Sequence, residues 1–365
     1  MRIILILPGQ KNAYSNLFEV YADLNNALQS LGIESRIVEI RFKESAGFPF
    51  GDVDSVDEEK LSDFLYSAAG RNTVFVTVDD HSIVRWLHKN RKIENLVIWA
   101  HYFYGARYIF RLYRDSSAEF TTTFRTRLLN LFAASIPNSA TIRLSGFYWK
   151  TLIRYPIFSQ SIWTGLLLER VYSIPVTGMV LIPVDQGLYN FPEEEKREGT
   201  LIFLGERRET DLRSLQSVLK TVDAQVLSRL DYFGNEETGK IFEEAYGIKI
   251  NFIGKIGRRD LLRNYSEHFM TIAPIFDGNF EMVPIQSLMC GTPVISFAQP
   301  FLEVTGENDM TANIRNLGEV RRKVQQWKGL SAEARKSMKA SILEKMDSKK
   351  VAKDLLSYLE TLGFH

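Results

Sequence analysis

Apolar residues recur with two different periods at the start of the chain. RIILIL (2–7) is apolar enough to be buried on both faces, as a central parallel strand is, and Pro8 ends it. Between positions 18 and 31 apolar residues recur at helical spacing, and Gly32 follows where a helix commonly ends. SRIVEI (35–40) then predicts a second strand. The order strand, helix, strand favours a parallel sheet.

The same alternation continues through the rest of the first half. Further strands are predicted at 73–78, 95–100, 140–145 and 179–184, with a helix at 82–89. The acidic stretch 52–63 is expected to open a surface helix. Alternating strands and helices of this kind predict a doubly wound parallel sheet.

The pattern breaks between positions 189 and 200. NFPEEEKREGT (190–200) carries Pro, Gly and many charges but no apolar period, and this composition predicts a linker. Beyond it the alternation restarts, with strands predicted at 200–205, 223–228, 248–254, 269–274 and 292–297. The C-terminal end is rich in Lys, Glu, Ala, Met and Leu, and this composition predicts helices.

Two α/β domains agree with a length of 365 residues. We expect one Rossmann-like domain over 1–188, a second over 199–335, and C-terminal helices over 336–365 that pack back toward the first domain. Ligands of open α/β sheets bind outside the carboxyl ends of the strands, so a cleft between the two sheets is the expected site.

Composition narrows the classes of function. A net charge of +1 gives no global reason to expect a nucleic-acid partner. The single cysteine, Cys290, excludes a disulfide framework and a cysteine-based zinc site, and the five histidines lack metal-ligand spacing. We therefore expect a reducing, cytoplasmic setting and no metal. A buried first strand is expected rather than a signal peptide, and no apolar window is long enough to span a bilayer.

The segment PIFDGNFEMVPIQSLMCGTPVI (274–295) is the most informative one. A predicted strand ends at Pro274, and a polar, glycine-bearing loop follows. A helix is then expected to begin near Pro284, because proline is accepted in a first helical turn. The free N–H groups of a helix start form a ready site for a diphosphate.

This segment resembles the donor-site motif of the family-4 glycosyltransferases, which have the GT-B fold. The family pattern runs approximately P-S-x-x-E-G-F-G-L-V-P-L-E-A-M-A-C-G-T-P-V. Pro274, Phe280, Val283, Pro284 and the run 290–294 stand where it expects them. The resemblance spans about 5 to 330. It implies two Rossmann-like α/β domains that face each other across a cleft, with C-terminal helices that cross back.

The resemblance also implies an activity. Family members move a sugar from a nucleotide-diphosphate sugar to a hydroxyl acceptor, retain the anomeric configuration and use no metal. The N-terminal domain would then take the acceptor, and the C-terminal domain would hold the nucleotide sugar as co-substrate, with no further cofactor. The acceptor could be a carbohydrate or be linked to lipid or protein.

Two glutamates of the family pattern are replaced here. They fall on Gly278 and Gln286. Glutamine can still hydrogen-bond a ribose diol, but glycine cannot engage the donor sugar, and Asp277 or Glu281 would have to substitute. A non-catalytic sugar-nucleotide-binding subunit, an inverting transferase and a sugar-nucleotide epimerase therefore remain alternatives.

The resemblance implies a set of donor contacts. Arg207 follows the predicted strand LIFLG, near a family arginine, and would contact the diphosphate unless it is only part of a solvated charge cluster. Lys255 would be a phosphate contact or merely exposed, and Gly9 belongs to a loop that approaches the diphosphate. The expected donor-binding residues are Gly9, Arg207, Lys255, Asn279, Phe280, Met282, Val283 and Gln286.

One histidine is the expected catalytic residue. His101 follows the predicted strand NLVIWA, and VIWAHYFYG resembles the strand-end histidine that faces sugar and acceptor in the family. The alternative is a structural strand-end histidine. His81 also follows a predicted strand and is a weaker candidate.

Basic residues are concentrated between Arg85 and Arg170. This region holds thirteen Lys or Arg against four Asp or Glu, interspersed with aromatic residues. Such a surface suits an anionic membrane or a polyanionic acceptor, and it equally suits aromatic core residues flanked by surface charges. We expect a cytoplasmic protein with peripheral membrane contact as one option, and no nucleic-acid partner.

Overall fold

A computed structural model describes most of the chain. The described residues are 1–9, 16–42, 54–70, 72–90, 92–101, 150–191, 197–205, 210–224, 226–254, 256–275, 282–297, 302–306 and 309–364. The chain divides into two compact units. Unit 1 comprises Met1–Val184 and Asp347–His365, and unit 2 comprises Asp185–Met346. The strand predicted at 140–145 lies outside the described residues.

Thirteen strands are described. They are β1 (Arg2–Pro8), β2 (Glu34–Arg41), β3 (Asp54–Asp57), β4 (Thr73–Val78), β5 (Leu96–Ala100), β6 (Ile157–Ser159), β7 (Gly178–Met179), β8 (Thr200–Leu204), β9 (Leu230–Gly234), β10 (Asn251–Phe252), β11 (Met270–Ala273), β12 (Val294–Ser296) and β13 (Thr311–Asn313). Every pair of neighbouring strands is parallel.

The helices connect these strands. They are α1 (Asn16–Ser30), α2 (Leu61–Ala68), α3 (His81–Lys89), α4 (Ile162–Tyr172), α5 (Leu212–Thr221), α6 (Glu236–Tyr246), α7 (Arg258–Glu267), α8 (Met282–Met289), α9 (Leu302–Thr305), α10 (Leu317–Trp327), α11 (Ala332–Met346) and α12 (Ser348–Thr361). Short 3₁₀ turns lie at Glu58–Lys60 and Gln186–Tyr189.

Unit 1 is built on a seven-stranded sheet in the order β3-β2-β1-β4-β5-β6-β7. The central strand β1 is buried from Ile3 to Leu7, as its unbroken apolar sequence requires. The C-terminal helix α12 packs on α1. The chain re-enters unit 1 beside the point where it leaves, because the Ser348 N–H donates to the Val184 carbonyl at 3.2 Å.

Unit 2 has a six-stranded sheet in the order β10-β9-β8-β11-β12-β13. One face of this sheet packs on α5 and α10 around a cluster of buried apolar residues. Its members include Ile202, Leu204, Leu215, Val218, Leu219, Tyr232, Phe242, Ile272, Ile295, Val320, Val324 and Trp327. The last long helix of this unit, α11, packs on α8.

Both sheets share the doubly wound order, in which strands are first added on one side of the first strand and then on its other side. In unit 1 the change of side lies between β1 and β4, and in unit 2 it lies between β8 and β11. Crevices form outside the carboxyl ends of strands at such switch points. The predicted α/β, doubly wound architecture is confirmed for each unit.

Two strand predictions were wrong in detail. Residues 223–228 are not a strand in the part of this segment that is described, because Val226 and Leu227 donate their N–H groups to the carbonyls of Asp223 and Ala224 in a turn. Val226 still packs in the core, which explains its apolar character. The ladder continues instead through β9, immediately after this turn.

The second error lies at 179–184. Only the first residue of this run is in β7, and Pro183 further along has no N–H to donate to a ladder.

The acidic segment predicted as the opening of a surface helix forms β3 at the sheet edge before α2 begins. There Arg36 pairs with Asp54 at 2.6 Å. Charged residues are common on exposed edge strands.

Candidate functional site

The switch point of unit 2 joins two chain segments. After β8 and β11, Thr210 pairs with Ile275 in an isolated antiparallel bridge. The Asp211 N–H also donates to the Pro274 carbonyl at 2.7 Å. The loops that follow the two central strands are therefore held side by side at the carboxyl edge of the sheet. Arg207 stands between β8 and Thr210 in the sequence and lies outside the described residues.

Helix α8 follows β11 and leads into β12. It begins at Met282, two residues before Pro284. Because β11 and β12 are parallel neighbours, the helix must run back across the sheet, so its start lies at the carboxyl edge. It packs on β11 and β12 and also on α7 and α11. Its residues from Val283 to Met289 are buried, so it is fixed on several sides.

The sequence Cys290-Gly291-Thr292-Pro293 ends α8 with a Schellman motif. The Gly291 N–H donates to the Leu288 carbonyl at 2.9 Å, and the Thr292 N–H donates to the Ser287 carbonyl at 3.0 Å. Gly291 has φ 72°, a left-handed conformation that favours glycine. Pro293 then prevents continuation of the helix. This part of the motif therefore encodes the geometry of the helix end.

Two adjacent polar residues of α8 differ in their partners. The Ser287 hydroxyl lies 2.8 Å from the Thr271 hydroxyl and 3.0 Å from the Thr292 carbonyl, so its bonding capacity is used inside the fold. Gln286 is 4% exposed, yet among the described residues no hydrogen bond of its side-chain amide is found. Burying an unpaired amide is unfavourable unless a partner binds there.

The other predicted donor contacts divide into two groups. Val283 is buried and Met282 is half-buried in the first turn of α8. Arg207, Lys255, Asn279 and Phe280 lie outside the described residues, as do Asp277, Gly278 and Glu281.

The predictions missed a buried arginine. Arg197 lies in the segment predicted as a linker and is 5% exposed. Its Nη1 lies 3.1 Å from the Cys290 carbonyl and 2.6 Å from the Thr292 hydroxyl, both at the C-terminal end of α8. Its only signal in the sequence was its position three residues before an apolar strand, and nothing in the charged context distinguished it from its neighbours.

In unit 1 the strand ends at the carboxyl edge carry polar residues. Gly9 follows β1, and its N–H donates to the Ile40 carbonyl at 2.7 Å. Asp79 follows β4 and is fully buried, and its carboxylate accepts the His101 N–H at 2.6 Å. This bond ties together the ends of the neighbouring strands β4 and β5.

His101 is held in a largely apolar environment. Its ring meets the Trp99 ring edge-to-face with centroids 4.3 Å apart, and the Tyr21 ring lies 6.2 Å away. Burial lowers the pKa of His101 to about 3, because the charged imidazolium loses its hydration. Its Nε2 is buried and has no hydrogen-bond partner among the described residues. The imidazole is therefore neutral near pH 7, and no described residue uses its Nε2.

Other predicted features are only partly described. Most of the basic-aromatic region, residues 102–149, lies outside the described residues, and His81 is described only in its backbone, at the start of α3. Within the described part of the chain, no helix is long and apolar enough to cross a membrane. The same residues hold no cluster of three or more His, Cys, Asp or Glu that could bind a metal ion.

Comparison with known proteins gives matches in structure but not in sequence. No family model matches the chain, and no curated protein matches it in sequence. It is similar over its whole length to sucrose-phosphate synthase from Thermosynechococcus elongatus (13% identity, TM-score 0.67, 99% of both chains). It is also similar to AviGT4, a glycosyltransferase involved in avilamycin A biosynthesis (16% identity, TM-score 0.60, 99% of this chain and 98% of that one).

S. aureus TarM, solved in complex with UDP, is a third similar structure (8% identity, TM-score 0.65, 98% of this chain and 99% of that one). All three are GT-B glycosyltransferases. Such low identities establish the fold, and membership of family 4 stays a prediction. The chain therefore has the GT-B fold.

Proposed function

We propose that this protein is a glycosyltransferase that moves a sugar from a nucleotide-diphosphate sugar to a hydroxyl acceptor. The observation that carries the proposal is Gln286, a buried amide without a partner among the described residues, on the helix that starts at the switch point of unit 2. Its neighbour Ser287 is fully bonded, so the missing partner is specific to one side chain. The GT-B fold and the nucleotide in the TarM complex support the same assignment.

The donor nucleotide is assigned to unit 2. The start of α8 offers N–H groups and a positive partial charge to a diphosphate. Gln286 would hydrogen-bond the ribose, and Gly9, Arg207, Lys255, Asn279, Phe280, Met282 and Val283 remain proposed donor contacts. The cations among them would stabilise the negative charge that develops on the departing diphosphate.

The proposed reaction retains the anomeric configuration and needs no metal, as in family 4. The bond between the anomeric carbon and the diphosphate breaks, and the acceptor oxygen bonds to the same face of that carbon. The hydroxyl proton passes to the departing phosphate, and no enzymic nucleophile takes part.

His101 is proposed to hydrogen-bond a sugar hydroxyl. A histidine with a pKa of about 3 is a weak base near pH 7, so proton abstraction is a poor role for it. Its unpaired Nε2 is instead suited to donate or accept a neutral hydrogen bond.

The proposal is tested first by binding. The whole protein is heated with UDP-, GDP-, ADP- or dTDP-sugars, and one nucleotide is expected to raise the melting temperature by mass action. The same donor, labelled in the sugar, is then followed for hydrolysis and for transfer, with and without EDTA. The anomer of the product distinguishes retention from inversion.

The outcomes separate the alternatives. Binding with turnover supports the transferase, and binding without turnover indicates a non-catalytic sugar-nucleotide-binding subunit. No shift with any donor at millimolar concentration would contradict both.

Cytoplasmic location and peripheral membrane contact are further parts of the proposal. Besides the concentration of basic residues, α4 exposes Ile162 (52%) and Leu166 (43%) one turn apart. Co-sedimentation with vesicles rich in anionic lipid, but not with zwitterionic vesicles, is the expected result. Equal recovery in the supernatant with both would indicate that the basic residues are ordinary surface charges.

A further inference from the structure

Arg197 is buried at the opposite end of α8 from the proposed nucleotide site. It precedes β8 by three residues, at the amino edge of the sheet, and is 5% exposed. Its Nη1 donates to the carbonyl of Cys290, the residue that follows the last residue of α8, and to the Thr292 hydroxyl. A helix end carries unpaired carbonyls and a negative partial charge, and a guanidinium satisfies both.

The hydroxyl that Arg197 contacts is itself fixed. Thr292 is completely buried and donates to the Tyr265 carbonyl at 2.5 Å, so its hydroxyl donates to α7 and accepts from Arg197. The Thr292 carbonyl in turn accepts the Ser287 hydroxyl. Arg197 therefore closes a buried polar network that joins the start of β8, the end of α7 and the end of α8.

The same contacts determine where Gln286 lies. The Cys290 N–H donates to the Gln286 carbonyl at 3.1 Å, so the residue whose carbonyl Arg197 holds is one helical turn from Gln286. The four residues from Gln286 to Cys290 correspond to about 6 Å along the axis. Because Arg197 bonds the C-terminal end of α8, a shift of the helix along or about its axis would break these bonds and would also move the Gln286 amide one turn away.

Stability alone is a weak reason to bury an arginine. Removing a guanidinium from water is unfavourable, and a well-packed apolar side chain often stabilises such a position as well or better. A buried arginine with directed hydrogen bonds instead specifies one arrangement of the groups that it contacts.

We propose that Arg197 is a positioning residue, which sets the axial position of α8 and thereby places the Gln286 amide for the nucleotide. This inference rests on the proposed function for its consequence, but its structural part can be tested without any ligand. In this proposal Arg197 acts through α8 and not by contact with the substrate.

The first test measures hydrogen exchange over residues 282–292 in the whole protein. Arg197→Met keeps the volume and removes the donors, and it is expected to speed exchange of this segment about tenfold, while β8 and β9 stay protected. Arg197→Lys, which can retain one bond, should be intermediate. Trp327→Phe is the matched control, because it removes the 2.5 Å bond to the Asp309 carbonyl elsewhere in unit 2.

The second test measures nucleoside-diphosphate affinity at a temperature at which every variant is folded. Arg197→Met is expected to weaken binding about fivefold, no more than the loss of one neutral hydrogen bond from Gln286, and Trp327→Phe should bind like the parent. In a Gln286→Ala background the same Arg197→Met change should have no further effect, because it acts through that amide.

The outcomes of these two tests decide whether Arg197 positions α8. Parental exchange over 282–292 in Arg197→Met, or an equal loss of affinity with and without Gln286, would overturn the positioning role. If Arg197→Met does not fold, Arg197→Lys is used in both tests. A parent protein that binds no nucleotide would contradict the proposed function, and the exchange measurement would still decide whether Arg197 positions α8.

Discussion

The two units share a sheet order but end their strands with different chemistry. Unit 2 has a helix start at its switch point and an uncharged amide, Gln286, one turn further along the same helix. Unit 1 presents His101 after β5, an ionisable group that burial keeps neutral. Both residues are buried, the Nε2 of His101 has no hydrogen-bond partner among the described residues, and none of the described residues hydrogen-bonds the Gln286 amide.

The difference indicates a division of roles. A helix start with an amide suits a diphosphate and a ribose, ligands that are bound before and after the reaction. A neutral imidazole has little basicity, so the role proposed for His101 is to orient a sugar hydroxyl as the glycosidic bond forms. Nucleotide affinity should therefore depend on unit 2, and turnover should depend on His101.

The largest effect is expected from His101→Ala. Loss of one oriented hydrogen bond in the transition state typically lowers kcat about 10²–10³-fold, and nucleoside-diphosphate affinity should remain unchanged. Steady-state kinetics and equilibrium titration of the same preparation check both. His101→Gln, which keeps a hydrogen-bonding group, is the conservative control. Full activity of His101→Ala would assign the histidine a structural role. It would also contradict the division of turnover and nucleotide binding between the two units.

Arg207→Ala should weaken donor binding more than it lowers kcat, the reverse of the pattern expected for His101→Ala. A charge-assisted hydrogen bond to the diphosphate contributes about 1.5–3 kcal/mol, so donor Kd should rise about 10- to 150-fold with a smaller change in kcat. The exposed Lys220 on α5 provides a matched control, because Lys220→Ala removes a charge from the same unit. An unchanged donor Kd in Arg207→Ala would indicate that Arg207 is an ordinary solvated residue with no contact to the diphosphate.

The neutral state of His101 predicts a pH dependence of stability. Its folded pKa, about 3, lies below the unfolded value of about 6.5, so between these values the unfolded chain binds more protons. Stability should therefore fall as pH drops below 6.5, by about 2 kcal/mol between pH 7 and pH 5. Denaturant titrations of the parent and of His101→Asn measure this difference. The same pH slope in both proteins would show that His101 ionises normally.

The smallest changes in affinity and stability are expected from substitutions of two adjacent residues of α8, Gln286 and Ser287. Gln286→Ala should weaken nucleotide binding about fivefold and leave stability nearly unchanged, because the amide has no described partner to lose. Ser287→Ala should lower stability by about 1 kcal/mol and leave affinity unchanged, because its bonds lie within the fold. A Gln286→Ala protein with parental affinity would leave that residue only a packing role.

The sequence predicted the architecture better than the positions of polar groups. Periodicity identified β1, β4, β5 and β8, because a strand buried on both faces must be continuously apolar. It misplaced the strand near 223–228, since apolar residues in a turn can reach the same core as a strand does. Local apolar content does not distinguish these two environments.

The candidate site was predictable only in part. The helix at 282–289 and its glycine-containing end follow from local backbone chemistry. Gln286 was predicted as a donor contact from a motif, and that role stays a prediction. That Gln286 lacks a partner while Ser287 has two depends on neighbours distant in sequence, such as Thr271. Arg197 was hidden for the same reason, because its partners lie more than ninety residues away.

The most direct test asks which unit holds the nucleotide. Hydrogen exchange of the whole protein is measured with and without a saturating concentration of the nucleoside diphosphate that raises the melting temperature. The expected result is slower exchange at the start of α8 and in the loop after β8, with little change at β2 or β4. Protection confined to unit 1, with α8 unaffected, would contradict the assignment of the donor nucleotide to unit 2.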